Sequence, residues 1–268
     1  MPATIDYSGK IALITGGNRG IGLAIVKEMA TAGANIALTY GSTPKSEVDA
    51  LLQDLQSEFP DRQFKAFQLN GSESKSYQAL LPAILQSGLE GSLDIVVANA
   101  GIALWKEAEN MTDDEMLNIF GVNTFGPYYL MRECVNTWLP AGEEKTKGSL
   151  EGKVGLVVSS VSGHVAMSPQ KQAAYNASKA AVTAFSKSLA IEWAPLGFRI
   201  NCISPGYVAT DMLATVDKTW VDEWVYRTPL GRMATAQDIG KSVVAMCSDN
   251  FMFMTGSDVL VDGGYACL

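Results

Sequence analysis

The chain has 268 residues, of which 47% are apolar and 18% are charged, and this balance excludes a largely disordered protein. Its length suits one α/β domain spanning residues 1–268. The net charge of −8 makes nucleic acid a poor partner, because an acidic surface repels phosphates.

Short aliphatic or β-branched runs alternate with longer helical stretches. In chain order, the predicted elements are a strand at 10–15, a helix at 23–32, a strand at 35–40, a helix at 45–58, a strand at 63–69, a helix at 74–86, a strand at 93–98, a long helix near 112–138, a strand at 154–159, a helix at 173–194, a strand at 199–204, a helix at 235–247 and a strand at 259–261. Strands that are apolar throughout are buried on both faces, and their alternation with helices indicates a parallel sheet. The sequence therefore predicts an α/β Rossmann fold, a doubly wound parallel sheet of about seven strands with helices on both faces.

A glycine-rich turn joins the first strand to the first helix, with the sequence Thr15-Gly16-Gly17-Asn18-Arg19-Gly20-Ile21-Gly22. The glycines allow the backbone to turn sharply and approach a pyrophosphate, and the helix directs its N-terminal N–H groups at that anion. This placement between an apolar strand and a helix is typical of dinucleotide binding, although a plain strand–helix turn is the alternative.

The end of the second strand bears on which dinucleotide is bound. It reads Tyr40-Gly41-Ser42-Thr43 and has no carboxylate, whereas folds that prefer NAD usually place Asp or Glu against the ribose 2′-hydroxyl. Arg19 lies next to the expected position of a 2′-phosphate, and Ser42 and Thr43 can donate hydrogen bonds to it. These features favour NADP(H), unless Arg19 is simply an exposed turn residue.

Tyr175 and Lys179 are four residues apart in a predicted helix and therefore share one face. Ketone reduction leaves an alkoxide that needs a proton, and tyrosine is a weak acid at its ordinary pKa of about 10. A nearby ammonium stabilises the phenolate, so we expect Lys179 to lower the pKa of Tyr175. The pair predicts a proton donor for reduction and a base for the reverse reaction.

These motifs, in this order, resemble the short-chain dehydrogenase/reductase family over essentially the whole chain. The matching segments are the glycine-rich turn for TGxxxGxG, Ala98-Asn99-Ala100-Gly101 for NNAG with Ala98 in place of the first Asn, Ser159-Ser160-Val161-Ser162-Gly163, Tyr175-Asn176-Ala177-Ser178-Lys179 for YxxxK, Ser204-Pro205-Gly206 and Asp262-Gly263-Gly264. Segments such as Ser162-Gly163-His164 and Gln172-Ala173-Ala174-Tyr175 look like the fungal branch of mannitol dehydrogenases, sorbose reductases and yeast carbonyl reductases.

The resemblance implies roles for particular residues. Ser160 is expected to polarise the carbonyl, with Ser162 as the alternative. Asn123 is expected to support a water bound to Lys179, or else to satisfy backbone groups of its helix. Lys179 is also expected to hydrogen bond the nicotinamide ribose. The cofactor-binding residues expected are Gly16, Asn18, Arg19, Gly20, Ile21, Gly22, Tyr40, Ser42, Thr43, Asn70, Asn99, Ala100, Gly101, Tyr175, Lys179, Pro205, Gly206, Val208 and Thr210.

The function expected is a reversible, NADPH-dependent reduction of a ketose or other small carbonyl to a secondary alcohol. One alternative is the same chemistry on an aromatic, polyketide or acyl thioester substrate in biosynthesis. Another is a nucleotide sensor without catalysis, which the intact Tyr175 and Lys179 argue against. The resemblance also implies a homotetramer through the long helices near 112–138 and 173–195 and the C-terminal strand region, and a mobile substrate lid at 211–227.

The remaining features predict surroundings rather than chemistry. His164 is expected to line the pocket or lie at the surface, because Tyr175 already supplies the proton. Trp105, Trp220 and Trp224 are expected in the core or the lid. One histidine and four cysteines without a CxxC pair predict no metal site, reduced thiols and a cytoplasmic location. No segment predicts a signal peptide or a membrane span.

Overall fold

The computed structural model describes residues 4–142, 144–210 and 216–267. Its helices and strands, in chain order, are β1 (Lys10–Ile14), α1 (Gly20–Thr31), β2 (Asn35–Tyr40), α2 (Lys45–Glu58), β3 (Phe64–Gln68), α3 (Ser74–Leu85), β4 (Ser92–Ala98), α4 (Asp113–Phe120), α5 (Gly126–Trp138), β5 (Val154–Val158), α6 (Ala173–Trp193), β6 (Arg199–Pro205), β7 (Val208–Ala209), α7 (Lys218–Arg227), β8 (Ala234–Thr235), α8 (Ala236–Cys247) and β9 (Asp258–Val261). All seven predicted strands are present, with ends shifted by at most one residue.

Seven of the strands form one sheet in the order β3-β2-β1-β4-β5-β6-β9, and every neighbouring pair in it is parallel. The short strands β7 and β8 pair with each other outside this sheet. The chain reverses its direction across the sheet between β1 and β4, and such a switch point leaves a crevice at the carboxyl ends of the strands. The predicted doubly wound sheet is confirmed.

Alternate residues of the central strand β1 face opposite layers of helices. Ile11 and Leu13 belong to the cluster that includes α3, α5 and α6, and Ala12 and Ile14 belong to the cluster that includes α1, α2 and α8. All four side chains are almost completely buried. Burial on both faces explains why the strands are apolar throughout.

The long helix predicted near 112–138 is helical throughout, but its α-helical hydrogen-bonding pattern is interrupted. It starts as expected, because Glu115 N donates to Thr112 Oγ1 at 3.2 Å and Thr112 N donates to Glu115 Oε2 at 2.9 Å. A π-helical turn at Gly121–Phe125 then separates α4 from α5. Just after that turn, a Cβ on Gly126 would lie 2.6 Å from the carbonyl oxygen of Gly71, so the backbones meet closely there. Such turns often occur at functional sites, and this one carries Asn123.

Candidate active site

A cavity of about 1200 Å³ opens at the carboxyl ends of the strands. Every residue that the sequence predicted to bind the cofactor lines it, as does Ser160. Among the described residues that line it, Arg19 and Lys179 are the charged ones and none is acidic. The net negative charge of the chain is therefore kept away from this surface, which suits an anionic ligand.

In the glycine-rich turn, the backbone of Gly22 packs directly against the backbone of Gly16. A Cβ on Gly22 would lie 2.0 Å from the carbonyl oxygen of Gly16, which no side chain could tolerate. Gly20 has a φ of +54° and is the first residue of α1, whose first turn has neither an acidic residue nor a side-chain cap. The N–H groups at this helix end therefore face the cavity without a competing carboxylate, which fits a pyrophosphate.

One corner of the cavity fits a 2′-phosphate. Asn18 Nδ2 donates to Thr43 Oγ1 at 2.9 Å and ties the glycine-rich turn to the end of β2. Arg19 and Ser42 are exposed at the rim, and no ion pair among the described residues involves Arg19. This corner therefore has the hydroxyls of Ser42 and Thr43 and the cation of Arg19, which can bind a 2′-phosphate, and no carboxylate that would repel it.

Two asparagines that line the cavity direct their amides at the protein. Asn99 Nδ2 donates to the carbonyl oxygens of Thr15 at 2.9 Å and Gly16 at 3.2 Å, joining the ends of β1 and β4. Asn70 Nδ2 donates to Glu73 Oε1 at 2.8 Å. These side chains shape the adenosine side of the cavity and leave ligand contacts mainly to the neighbouring backbone.

Ser160, Tyr175 and Lys179 meet at the opposite end of the cavity. Ser160 follows β5, and the two others lie on the cavity face of α6. Lys179 is 4% exposed, its Nζ donates to the carbonyl oxygen of Val158 at 2.8 Å, and Nζ is 5.7 Å from the centre of the Tyr175 ring. The lysine thus packs over the tyrosine ring rather than pairing with its hydroxyl.

Burial determines how this pair titrates. It raises the pKa of Tyr175, and interaction with the Ser160 hydroxyl acts in the opposite direction. Burial also lowers the pKa of Lys179 to about 8. Desolvation of the phenol therefore dominates the pKa of Tyr175 in this structure, and stabilisation of its phenolate by Lys179 stays a prediction.

The two candidate serines differ in their hydrogen bonds. Ser160 Oγ accepts from Ser162 N at 3.1 Å, and its hydroxyl also interacts with the hydroxyl of Tyr175. Ser162 Oγ accepts from Gln172 Nε2 at 3.1 Å and is held against the start of α6. This geometry favours Ser160 as the group that polarises a carbonyl.

Asn123 lies behind the lysine and is 1% exposed. Its amide Nδ2 donates to the carbonyl oxygen of Ile102 at 2.9 Å and to Ser178 Oγ at 3.1 Å, and its Oδ1 accepts from Ile102 N. A Cβ on Gly101 would lie 3.3 Å from Asn123 Oδ1 and 3.6 Å from Lys179 Nζ, so both polar atoms flank one small space. Support of a lysine-bound water stays a prediction, since the hydrogen bonds of Asn123 also fix the local backbone.

Comparison with known proteins identifies the family. Residues 16–266 match a family model described as "Enoyl-(Acyl carrier protein) reductase". The chain belongs to the short-chain dehydrogenase/reductase family. It is 36% identical to the sorbose reductase of Schizosaccharomyces pombe, with 99% of each chain covered. It is 34% identical to the probable NADP-dependent mannitol dehydrogenase of Yarrowia lipolytica, covering 98% of this chain and 89% of that one.

A solved structure shows the same fold. The NADPH-dependent 3-quinuclidinone reductase of Rhodotorula rubra superposes with a TM-score of 0.86 at 30% identity, covering 99% of this chain and 94% of that one. The resemblance deduced from the motifs is therefore confirmed at the level of the family, and this chain is an oxidoreductase of the short-chain type.

The substrate side of this short-chain dehydrogenase/reductase combines two glutamines to which the sequence had assigned no role with tryptophans that it had placed in the core or the lid. Gln170 and Gln172, just before α6, are 4% and 6% exposed and line the cavity together with Tyr207. Trp105 and Trp224 also line it, and Trp220 packs against Trp105 with ring centres 5.6 Å apart. The sequence shows only that two glutamines lie within five residues of Tyr175, and their burial is visible only in the structure.

Two further predictions concern neighbouring segments. His164 lies at the surface, as expected, with Nε2 2.8 Å from Asp258 Oδ2. Of the predicted lid at 211–227, residues 211–215 lie outside the described residues, and most of the remainder forms α7. No helix among the described segments is long and apolar enough to cross a membrane, and no cluster there could hold a metal ion.

Proposed function

We propose that this protein uses NADPH to reduce a ketone reversibly to a secondary alcohol. The observation that carries the proposal is a single cavity with a phosphate-binding turn at one end and Ser160, Tyr175 and Lys179 at the other. The names of the sorbose reductase and NADP-dependent mannitol dehydrogenase relatives support ketone chemistry with this cofactor.

The residues divide the reaction between them. NADPH, when bound, supplies the hydride that adds to the carbonyl carbon. Ser160 donates a hydrogen bond to the carbonyl oxygen, and Tyr175 transfers its phenolic proton to that oxygen as charge develops. Burial keeps Tyr175 protonated at neutral pH, because it raises the pKa. Lys179 stabilises the phenolate that remains, and Asn123 supports the path by which a proton returns.

The choice of NADPH over NADH rests on the rim near β2. Arg19, Ser42 and Thr43 can bind a 2′-phosphate, and no carboxylate stands among the described residues that line the cavity. The other residues expected to bind the cofactor form the surrounding surface, and their individual contacts are part of this proposal.

Two other functions are less well supported. A biosynthetic reductase of aromatic, polyketide or acyl thioester carbonyls would use the same catalytic residues. However, the relatives described above are named for a sugar, sorbose, and a polyol, mannitol. A nucleotide sensor would not need a proton donor and a lysine buried together on one helix face. We therefore favour a ketone reductase over a nucleotide sensor.

We also propose that the protein is a cytoplasmic homotetramer. Support comes from large apolar side chains that are exposed on the helices expected at the interface, Leu117 on α4, Phe185 and Ile191 on α6, and from Phe253 near the C-terminal strand. Cys134, Cys202, Cys247 and Cys267 are all unpaired, as expected for a reducing compartment. Size-exclusion chromatography with light scattering tests the tetramer, and microscopy of a tagged chain tests the location.

The decisive experiment follows NADPH absorbance with purified protein and a panel of ketones. We expect consumption of NADPH, and we expect Tyr175→Phe to lower kcat by at least about 100-fold while NADPH still binds. Near-normal turnover by this variant, or no turnover of any ketone by the wild-type protein, would overturn the proposal. Fluorescence of bound NADPH serves as the binding control.

A further inference from the structure

The substrate end of the cavity has a wall of aromatic rings, which we call the aromatic wall and define as Trp105, Tyr207 and Trp224. Tyr207 stacks on Trp224 with ring centres 4.2 Å apart and planes 10° apart. Trp105 meets Trp224 edge to face at 6.3 Å. All three line the cavity, and they come from the loop after β4, the loop after β6 and helix α7. Trp224 is fully buried behind the other two rings, so Trp105 and Tyr207 provide the apolar surface that faces whatever enters beside Ser160 and Tyr175.

The polar atoms of the wall already have partners within the protein. Trp224 Nε1 donates to Gln170 Oε1 at 3.1 Å, and Gln170 Nε2 donates to the Tyr207 hydroxyl at 2.6 Å. Trp105 Nε1 donates to Gln172 Oε1 at 3.2 Å. No buried side-chain nitrogen or oxygen among the described residues lacks a partner.

The second glutamine is even more fully engaged. Gln172 Nε2 donates to Ser162 Oγ at 3.1 Å and to Asn176 Oδ1 at 2.9 Å, which uses both hydrogens of its amide. Gln172 immediately precedes α6 and lies three residues before Tyr175. The aromatic wall is therefore fixed to the segment that positions the proton donor, and its two indole N–H groups are already used within the protein.

This arrangement discriminates between ketones. A polyhydroxylated ketone would give up water around each hydroxyl and find few free partners here, so its hydroxyls would be poorly compensated. A planar apolar group would lose little on leaving water and would gain contact with aromatic faces. The catalytic Ser160 and Tyr175 need only the carbonyl oxygen, which both kinds of ketone possess.

We propose that the substrate is a ketone with a planar apolar substituent, such as an aryl group, held against the aromatic wall, and not a polyhydroxy ketose. The inference rests on the proposed function and assigns its substrate class. Trp105 and Tyr207 are then specificity-determining residues, and Gln170 and Gln172 are positioning residues that hold their rings.

Three ketones with one carbon skeleton test the inference: butanone, its phenyl-bearing analogue benzylacetone and its trihydroxy analogue erythrulose. With NADPH and the wild-type protein, we expect kcat/KM for benzylacetone to exceed that for butanone by at least about tenfold, because the phenyl ring is removed from water. We expect erythrulose to fall below butanone.

Variants separate recognition from folding. Trp105 is 38% exposed, so Trp105→Ala should fold, and we expect it to lower kcat/KM for benzylacetone at least about tenfold more than kcat/KM for butanone, so that the preference between the two is lost. Trp105→Phe keeps a ring but loses the bond to Gln172, and we expect it to retain most of the preference. Tyr226→Ala, at an exposed position of the same helix as Trp224, is the matched control and should leave all three values unchanged.

The outcomes distinguish the two proposals. If erythrulose is reduced as efficiently as benzylacetone, the substrate class is wrong and the proposed function stands. If Trp105→Ala changes the three ketones equally, the ring has only a structural role and the inference fails. If the wild-type protein reduces none of the three or any other ketone although NADPH binds, the proposed function fails and the inference with it.

Discussion

The two ends of the cavity are constructed differently. At the end proposed to bind the phosphates, the surface is the backbone of one contiguous turn, and Gly16 and Gly22 approach too closely for a side chain at Gly22. At the substrate end, Trp105, Tyr207 and Trp224 come from three distant segments and act through their side chains. A surface made of backbone is fixed by a few glycines, whereas a surface made of side chains can change its ligand by single substitutions that leave the cofactor end intact.

The largest expected effect comes from adding one methyl group to the backbone-built end. In Gly22→Ala, the new Cβ would lie 2.0 Å from the Gly16 carbonyl oxygen, so the glycine-rich turn must open. We expect NADPH affinity to fall by at least about 100-fold and the free energy of unfolding to fall by roughly 1–3 kcal/mol. Fluorescence titration and thermal unfolding measure the two effects.

Gly41→Ala is the matched control for this change. Gly41 lines the same cavity, yet a Cβ there has no heavy atom within 4 Å. We expect its thermal midpoint to remain that of the wild-type protein. If Gly22→Ala is equally harmless, the close approach of the backbone is not what forms the phosphate site.

A pair of serine substitutions tests the catalytic boundary between the two ends. Ser160 interacts with the Tyr175 hydroxyl, whereas Ser162 Oγ accepts from Gln172. We expect Ser160→Ala to lower kcat by about 100-fold and Ser162→Ala to lower it by less than about tenfold. Steady-state kinetics with the best ketone measures both, and the reverse ranking would assign the role to Ser162.

The rim of the phosphate end should determine the choice between cofactors. We expect Arg19→Gln to raise the KM for NADPH by roughly tenfold or more and to leave the KM for NADH nearly unchanged, because only NADPH has a phosphate for the cation. Arg62→Gln makes the same change of charge just before β3, at the amino end of that strand and outside the cavity lining, and should affect neither cofactor. Equal losses with both cofactors would show that Arg19 does not bind the 2′-phosphate.

Particular residues show what the sequence could and could not predict. The glycine-rich turn and the Tyr175–Lys179 spacing are local patterns, so their positions were predictable. The π-helical turn at Gly121–Phe125 was not, because it accompanies a close tertiary contact between Gly126 and Gly71 that no local period encodes.

The same reasoning explains which features of the site itself the sequence could not predict. The direction of the Tyr175 pKa shift depends on how completely the ring is buried, and the four-residue spacing to Lys179 says nothing about burial. The aromatic partners of Gln170 and Gln172 lie more than 30 residues away along the chain, in Tyr207, Trp224 and Trp105. Hydrogen bonds of that range become visible only in three dimensions.

The last prediction concerns pH. As the pH rises above about 8, we expect the activity to fall while the contribution of Lys179 to stability rises. Burial lowers the pKa of Lys179 to about 8, so the ammonium beside Tyr175 is lost as the pH rises through that value. We expect kcat/KM for ketone reduction to be level below about pH 8 and to fall by about tenfold per pH unit above it.

The contribution of Lys179 to stability runs in the opposite direction. Its pKa is lower in the folded than in the unfolded protein, so the unfolded state binds more protons between about pH 8 and its ordinary pKa of 10.5, and this group favours folding increasingly as the pH rises through that window. Thermal unfolding of the wild-type protein and of Lys179→Met across this range isolates that contribution, which the variant lacks. If the contribution of Lys179 to stability instead falls together with the activity as the pH rises, its pKa is raised and not lowered in the folded protein. An interaction with the buried ammonium would then outweigh its desolvation.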